Sequence, residues 1–223
     1  MKHIFIIGVA VVLLLFFMVN KKTDNDKPIV EKYPWQVTVL PAGRSRVFGV
    51  VLSETLLKDI DVILKSRPTI ALFETNGKLS LEAYYKNVSL GGLIGSFIFT
   101  LNATDAELNE IKQGSSKKKR TENNNIRYEL DKQATDNAKE LTVNNLNYIP
   151  TAQLDEETIL KRFGEPAHKI KLKTQEAGWH YLYPEKGLDL IYKEEGKEVL
   201  QYVLPKDFNA LLEPLQSLQN QKH

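Results

Sequence analysis

No cysteine occurs in the sequence, which excludes disulfides, thiolate metal sites, a cysteine nucleophile and a lipid-modified N-terminal cysteine. An excess of one charge is also missing. With 30 basic and 28 acidic residues the formal net charge is +2, so no electrostatic footprint for nucleic acid is expected. Histidine is scarce. The four present are His3, His168, His180 and His223, and none stands in an HxxxH, HxH or HExxH spacing, so no metal site is expected. The chain has no G-x-S-x-G, no P-loop and no G-x-G-x-x-G. The stretch "LGGLIGS", Leu90 to Ser96, has the wrong glycine spacing and reads as a bend in a strand. These absences leave no cofactor to expect and no catalytic residue to name.

Long apolar runs are absent too, with one exception. "IFIIGVAVVLLLFFMV", Ile4 to Val19, carries no polar side chain and spans about 24 Å as a helix. Lys2, Lys21 and Lys22 flank it and can reach the interface. Ile4, Leu14 and Phe17 are read as part of a membrane anchor. A cleaved signal peptide and a buried core helix are the competing readings. The run ends "FFMVNKK", with no small-x-small cleavage site, which favours the anchor. Lys and Arg counts around the span lean weakly toward a cytoplasmic C-terminus. The usual arrangement of an exported, tethered domain points the other way. The expected placement is the inner membrane, single-pass, with the following domain periplasmic.

Residues 20–32 are polar and aperiodic and read as a linker. From residue 33 onward the sequence alternates short strand patterns with N-capped amphipathic helices. "WQVTVL" and "RVFGVVL" form a hairpin, and Ser53 caps "ETLLKDIDVILKS". "TIALFE", "LSLEAYY" and "GSFIFTL" are strands, and Thr104 opens the helix "DAELNEIKQ". Residues 114–125, "GSSKKKRTENNN", read as a polar basic loop whose Lys117–Arg120 run is either a solvated surface or a contact for anionic lipid or nucleic acid, the latter lacking aromatic interleaving or a supporting basic face. The second half repeats the plan. "VNNLNYIP" is a strand. "LDEETILKRFGEP" is a helix capped by Asp155 and closed by Gly164 and Pro166. "HKIKLK", "WHYLY", "LDLIYK" and "VLQYVL" are strands, and a last helix opens near Asp207.

The fold class predicted is α+β: an N-terminal transmembrane helix at 4–19, then two related units of helix plus antiparallel β-meander. The units are 33–113 and 126–218, separated by the loop at 114–125.

Strand alternation in "WHYLY" puts Trp179, Tyr181 and Tyr183 on one face and His180 with Leu182 on the other. Gly187 and Gly196 supply turn positions for the hairpins that follow. The aromatic face is either part of a sheet core or a contact surface. As a contact surface it would comprise Trp179, Tyr181 and Tyr183, with Arg162 and His180 at the rim.

"ETILKRFGEPAHKI", "WHYLY" and "GLDLIYKEEGKEVLQYV" together resemble the SmpA/OmlA family of small bacterial envelope proteins. Phe163, Gly164, Pro166, Trp179, Tyr181, Leu190, Gly196 and Val199 carry the likeness, over about fifty residues. The whole chain also looks like a proteobacterial membrane-anchored protein. The resemblance implies helices against an antiparallel sheet, in a protein that binds other envelope components. No lipidation cysteine is present, and the family carries one such unit where two are read here.

The expected function is therefore a non-enzymatic, membrane-anchored interaction or scaffold module of the cell envelope. Its partners would be the membrane and an envelope protein, with no nucleic acid and no metal. Two other readings stand beside it. One is a cell-wall or lipid-modifying enzyme with a site near His168 and His180. The other is a cytoplasm-facing adaptor that binds anionic lipid through Lys117–Arg120.

Overall fold

Alternating apolar and polar residues dominate the chain after residue 33, and in the computed structural model they become one large antiparallel sheet. The structure describes residues 31–172 and 178–220. In chain order the elements are β1 (Val37–Leu40), β2 (Arg44–Val47), β3 (Val50–Val51), α1 (Leu57–Leu64), β4 (Thr69–Thr75), β5 (Lys78–Leu90), β6 (Leu93–Leu101) and α2 (Asp105–Gly114). They continue with β7 (Lys118–Arg120), β8 (Ile126–Glu129), α3 (Lys132–Ala138), β9 (Val143–Pro150), α4 (Glu156–Phe163), β10 (His168–Lys171), β11 (Trp179–Tyr183), β12 (Leu188–Tyr192), β13 (Val199–Tyr202) and α5 (Asn209–Asn220). Strands β1, β2 and β3 form a three-stranded sheet. The other ten join in the order β10-β11-β12-β13-β9-β6-β5-β4-β8-β7, every pair antiparallel.

This corrects the fold class. The meanders β4–β6 and β10–β13 do not close separate helix-and-sheet units. Strand β9 pairs with β13 on one side and β6 on the other, fusing them into one sheet, and the fold is mostly antiparallel β. Asn145, Asn147 and Ile149 alternate with Leu146, Tyr148 and Pro150 along β9, which marks a strand but not its neighbours.

The membrane assignment is also corrected. Among the described residues no helix is long and apolar enough to cross a membrane. The predicted span, with Ile4, Leu14 and Phe17, lies outside them. The single-pass, inner-membrane placement and its periplasmic domain are not carried further.

One face of the ten-stranded sheet holds the core. Along the register Tyr85, Phe97, Tyr148, Leu200, Leu190 and Tyr181 follow one another across six strands, all buried. Helix α1 adds Leu57, Ile60 and Leu64, α2 adds Leu108, α3 adds Ala138, and α4 adds Ile159 and Phe163. The hairpin between β2 and β3 drives Phe48 into the same core, against Phe97, Tyr148 and Tyr202, with ring centroids 5.0, 5.0 and 6.4 Å away. Phe48 sits at φ 54 and is followed by Gly49 at φ 78, so a bulky residue occupies a left-handed turn position that its burial stabilises. On β6, Gly95 leaves room for the Tyr148 ring, because a Cβ there would stand 2.3 Å from that ring.

Polar ties fix the helices. Tyr85 Oη donates to Asp61 Oδ1 at 2.6 Å, holding α1 on β5, and burial together with that carboxylate raises the phenol's pKa far above its usual value. Lys112 and Tyr128 both donate to Glu74, at 2.8 and 2.6 Å, linking α2 to β4 and β8 and holding the carboxyl below its ordinary range.

Several local features differ from the sequence reading. Ser53 does not cap α1. It lies at φ 67, its N–H donates to Val143 O at 2.6 Å, and the helix begins at Leu57. The first helical N–H groups, of Leu57 and Lys58, bond instead to the carbonyls of Leu141 and Lys139, so a tertiary contact replaces the local cap. The region read as a polar loop contains β7, an edge strand paired with β8. Strand β8 and helix α3 follow it, two elements not expected from the sequence. By contrast Thr104 makes a full capping box, and Asp155 accepts from Thr158 N–H at 2.6 Å. Gly187, at φ 66, has no space for a side chain, since a Cβ would stand 2.1 Å from Val203 O.

Candidate functional site

The opposite face of the sheet has two parts. Over the β10–β13 end it is covered by Phe208, just before α5, and by Leu215 of α5, packed on Ile170, Leu182 and Val203. Across β4, β5, β6 and β9, no described helix lies on it, and the side chains there are those that alternate away from the core. In register, Thr69 faces Tyr84, Tyr84 faces Ile98, Ile98 faces Asn147, and Asn147 faces Gln201. The neighbouring row runs Ala71, Glu82, Thr100 and Asn145. Phe73 stands opposite both Ser80 and Arg127.

Antiparallel sheets commonly leave one face to water, and that face is then polar. This one is mixed. Tyr84 is 38% exposed and Ile94 50%, and Phe73, Ile98 and Ile149 are half-buried on the same side. Ala71 is short and flanked by larger groups, and above it lies a hollow of about 280 Å³ walled by Phe73, Tyr84, Ile98 and Thr69. Glu82 and Arg127 also line it. Ser80 Oγ donates to Glu82 Oε1 at 2.9 Å. Burial raises the Glu82 pKa from its ordinary value, and the Ser80 bond only partly opposes that. Arg127 reaches Glu129 at 3.8 Å instead of Glu82.

The residues expected to form a contact surface do not come together as one. Tyr181 and Tyr183 are buried in the core, Tyr181 Oη donating to Glu156 at 2.8 Å and Tyr183 Oη to Gly164 O at 2.9 Å. Burial pushes the Tyr183 pKa up to about 12. Trp179 is half-buried, with the ammonium groups of Lys169 and Lys171 over its ring at 4.4 and 5.0 Å. Lys169 also bonds Glu156 at 2.7 Å. With the Tyr181 hydroxyl it holds that carboxyl below its ordinary range. Arg162 lies not at the rim of Trp179 but over Trp35, 4.9 Å from the ring, and Trp35 stacks on Tyr33 at 5.0 Å. The strand reading that separates His180 from the tyrosines holds, so His180 is on the other face.

There His180 Nδ1 meets Asp189 Oδ2 at 2.8 Å, both residues buried beneath the α5 side of the sheet. A carboxylate that orients an imidazole is half of a catalytic arrangement. No serine or threonine hydroxyl among the described residues bonds to this ring. His168 shares the face, on the edge strand and exposed. Among the described residues no group of three metal-ligating side chains assembles. The Lys118–Arg120 segment is the outer edge strand β7, and basic residues on an exposed edge oppose strand-to-strand association.

A second hollow, of about 210 Å³, lies between α2 and α3 over Leu81, Ile111 and Leu141. Of its acidic rim, Glu107 is committed to the Thr104 capping box and Asp131 to the N–H of Ala134 at 2.7 Å, while Glu110 lines the hollow without such a tie among the described residues.

Sequence reasoning missed Phe73, Glu82, Tyr84 and Ile98. The signal was available in "LSLEAYYK", where Ser80, Glu82, Tyr84 and Lys86 alternate with Leu79, Leu81, Ala83 and Tyr85. An aromatic residue on the polar side of such a strand marks a face that is neither core nor fully solvated.

Comparison of the chain with protein-family models, with curated proteins and with solved structures finds no match.

Proposed function

We propose that this protein is a non-enzymatic interaction module whose contact surface is the open face of the ten-stranded sheet across β4, β5, β6 and β9. The observation that carries the reading is the set of half-exposed apolar side chains, Phe73, Tyr84, Ile94 and Ile98, on a face that no described helix covers. Contiguous exposed apolar surface rimmed by polar groups is typical of contact sites. Tyrosine supplies such surfaces with large area at low conformational-entropy cost. The likeness of 157–203 to SmpA/OmlA proteins belongs to the same proposal, since it also points to a binding role.

The enzymatic reading near His168 and His180 has the His180–Asp189 pair in its favour, but among the described residues no nucleophile is bonded to that ring, and the binding reading is preferred.

The test is site-specific photo-cross-linking in the producing cells. A benzophenone side chain at Tyr84 samples the open face, and one at Val62, 75% exposed on α1, samples the helix side. A discrete adduct from position 84 and none from position 62 is expected. Equal labelling at both, or none at 84, would remove the proposal.

A further inference from the structure

The hollow on the open face is built like an anchor pocket for a long cationic side chain. Its walls are apolar or weakly polar: Phe73, Tyr84, Ile98, Ala71 and the Thr69 side chain. Such walls suit the methylenes of lysine or arginine, which bury their stems while the charged head finds a partner. The partner is present. Glu82 presents a carboxylate whose only side-chain hydrogen bond among the described residues is the one from Ser80 Oγ. No described cation pairs with it, and the Arg127 guanidinium, on the same lining, turns to Glu129.

A half-buried carboxylate without a counter-charge costs free energy in the isolated protein. The same group becomes favourable when a cation enters and the surrounding water leaves. The pKa of Glu82, raised by burial, is consistent with that description. Tyr84, at the mouth of the hollow, adds a ring face able to contact the incoming cation.

We propose, building on the open-face reading, that the hollow around Glu82 receives a lysine or arginine side chain of a protein partner lying along the sheet. Charge complementarity selects the occupant. A phosphate-bearing ligand, whether nucleic acid or lipid surface, would bring negative charge onto Glu82. A purely apolar segment would strip water from the carboxylate and leave it the Ser80 hydroxyl with no counter-charge.

The experiment selects displayed random dodecapeptides on the immobilised full-length chain, then measures the affinity of enriched peptides for the parent protein and for three variants. Glu82→Gln removes the charge and keeps the shape. Tyr84→Ala and Ile98→Ala thin the apolar wall. The expected result is enrichment of peptides with a lysine or arginine beside apolar residues. Their affinity should fall roughly tenfold to a hundredfold on Glu82→Gln and also fall on either wall substitution. Peptides that need Tyr84 and Ile98 but carry no basic residue, or are indifferent to Glu82→Gln, would overturn this inference and leave the open-face reading intact. Peptides indifferent to all three variants, or no enrichment at all, would overturn both. Thermal melts of the variants establish that each is folded before its affinity is read.

Discussion

Replacing Tyr202 by phenylalanine takes one oxygen out of the core and leaves the ring. In the native chain that hydroxyl donates to Pro34 O at 2.7 Å, bridging 168 residues of sequence and pinning the segment before β1 to β13. Tyr202 is fully buried and Pro34 is buried beside it, so water does not stand in for the lost donor. Burial also raises the phenol's pKa well above its ordinary value, so at neutral pH the group is a neutral donor. Tyr202→Phe therefore leaves a buried carbonyl unsatisfied, at a cost of about 1–3 kcal/mol. For a domain of this size each kcal/mol lowers Tm by about 2–4 °C. Urea denaturation is the assay. The midpoint should fall while the slope stays fixed, because no additional surface is exposed. Tyr84→Phe is the control. Among the described residues its hydroxyl meets only Ser96 Oγ, at 3.3 Å at an exposed site, and its loss should change stability by less than about 0.5 kcal/mol. If Tyr202→Phe is as silent as that control, the segment 31–36 is not docked as described.

Gly95→Ala should destabilise the fold by about 1–3 kcal/mol, read by the same denaturation, because the new methyl would meet the Tyr148 ring across β6 and β9. Asp189→Ala should cost about 1–3 kcal/mol by leaving the buried His180 Nδ1 without its acceptor, with the far-ultraviolet spectrum of the sheet retained. For Glu82, folding raises the proton affinity above the ordinary value of 4.5. Between that value and the raised one the folded state holds more protons than the unfolded state, so stability falls as pH rises through the window and stays lower above it. Glu82→Gln has no such proton to lose. Relative to the variant, the parent should lose stability across that window, which denaturation at a series of pH values measures.

What was legible in the sequence was whatever is decided locally. Asp155, Glu156, Glu157, Gly164 and Pro166 announced α4 because each acts within its own turn. "VNNLNYIP" announced β9 by period two, and the same alternation separated His180 from Tyr181. What was not legible depended on distant partners. The start of α1 is set by carbonyls near residue 140, not by Ser53. Strand β7 is three exposed basic residues that become a strand only because β8 offers a ladder. The joining of the two meanders rests on β9 choosing β6 as well as β13, and period-two patterning names no neighbour. The open face was hidden for a related reason. Phe73, Tyr84 and Ile98 lie on three strands, and only their register makes them a patch.

The proposed working surface is this patch on the open face of the sheet. The most direct measurement places a benzophenone side chain at Tyr84 in cells, with and without Ile98→Glu, and compares the adducts. Ile98 is half-buried on the open face and contributes to no core cluster, so the substitution should leave the melt within a few degrees of the parent. A discrete adduct that disappears on Ile98→Glu, with the fold intact, is the outcome expected. An adduct that persists unchanged in the folded variant would contradict it.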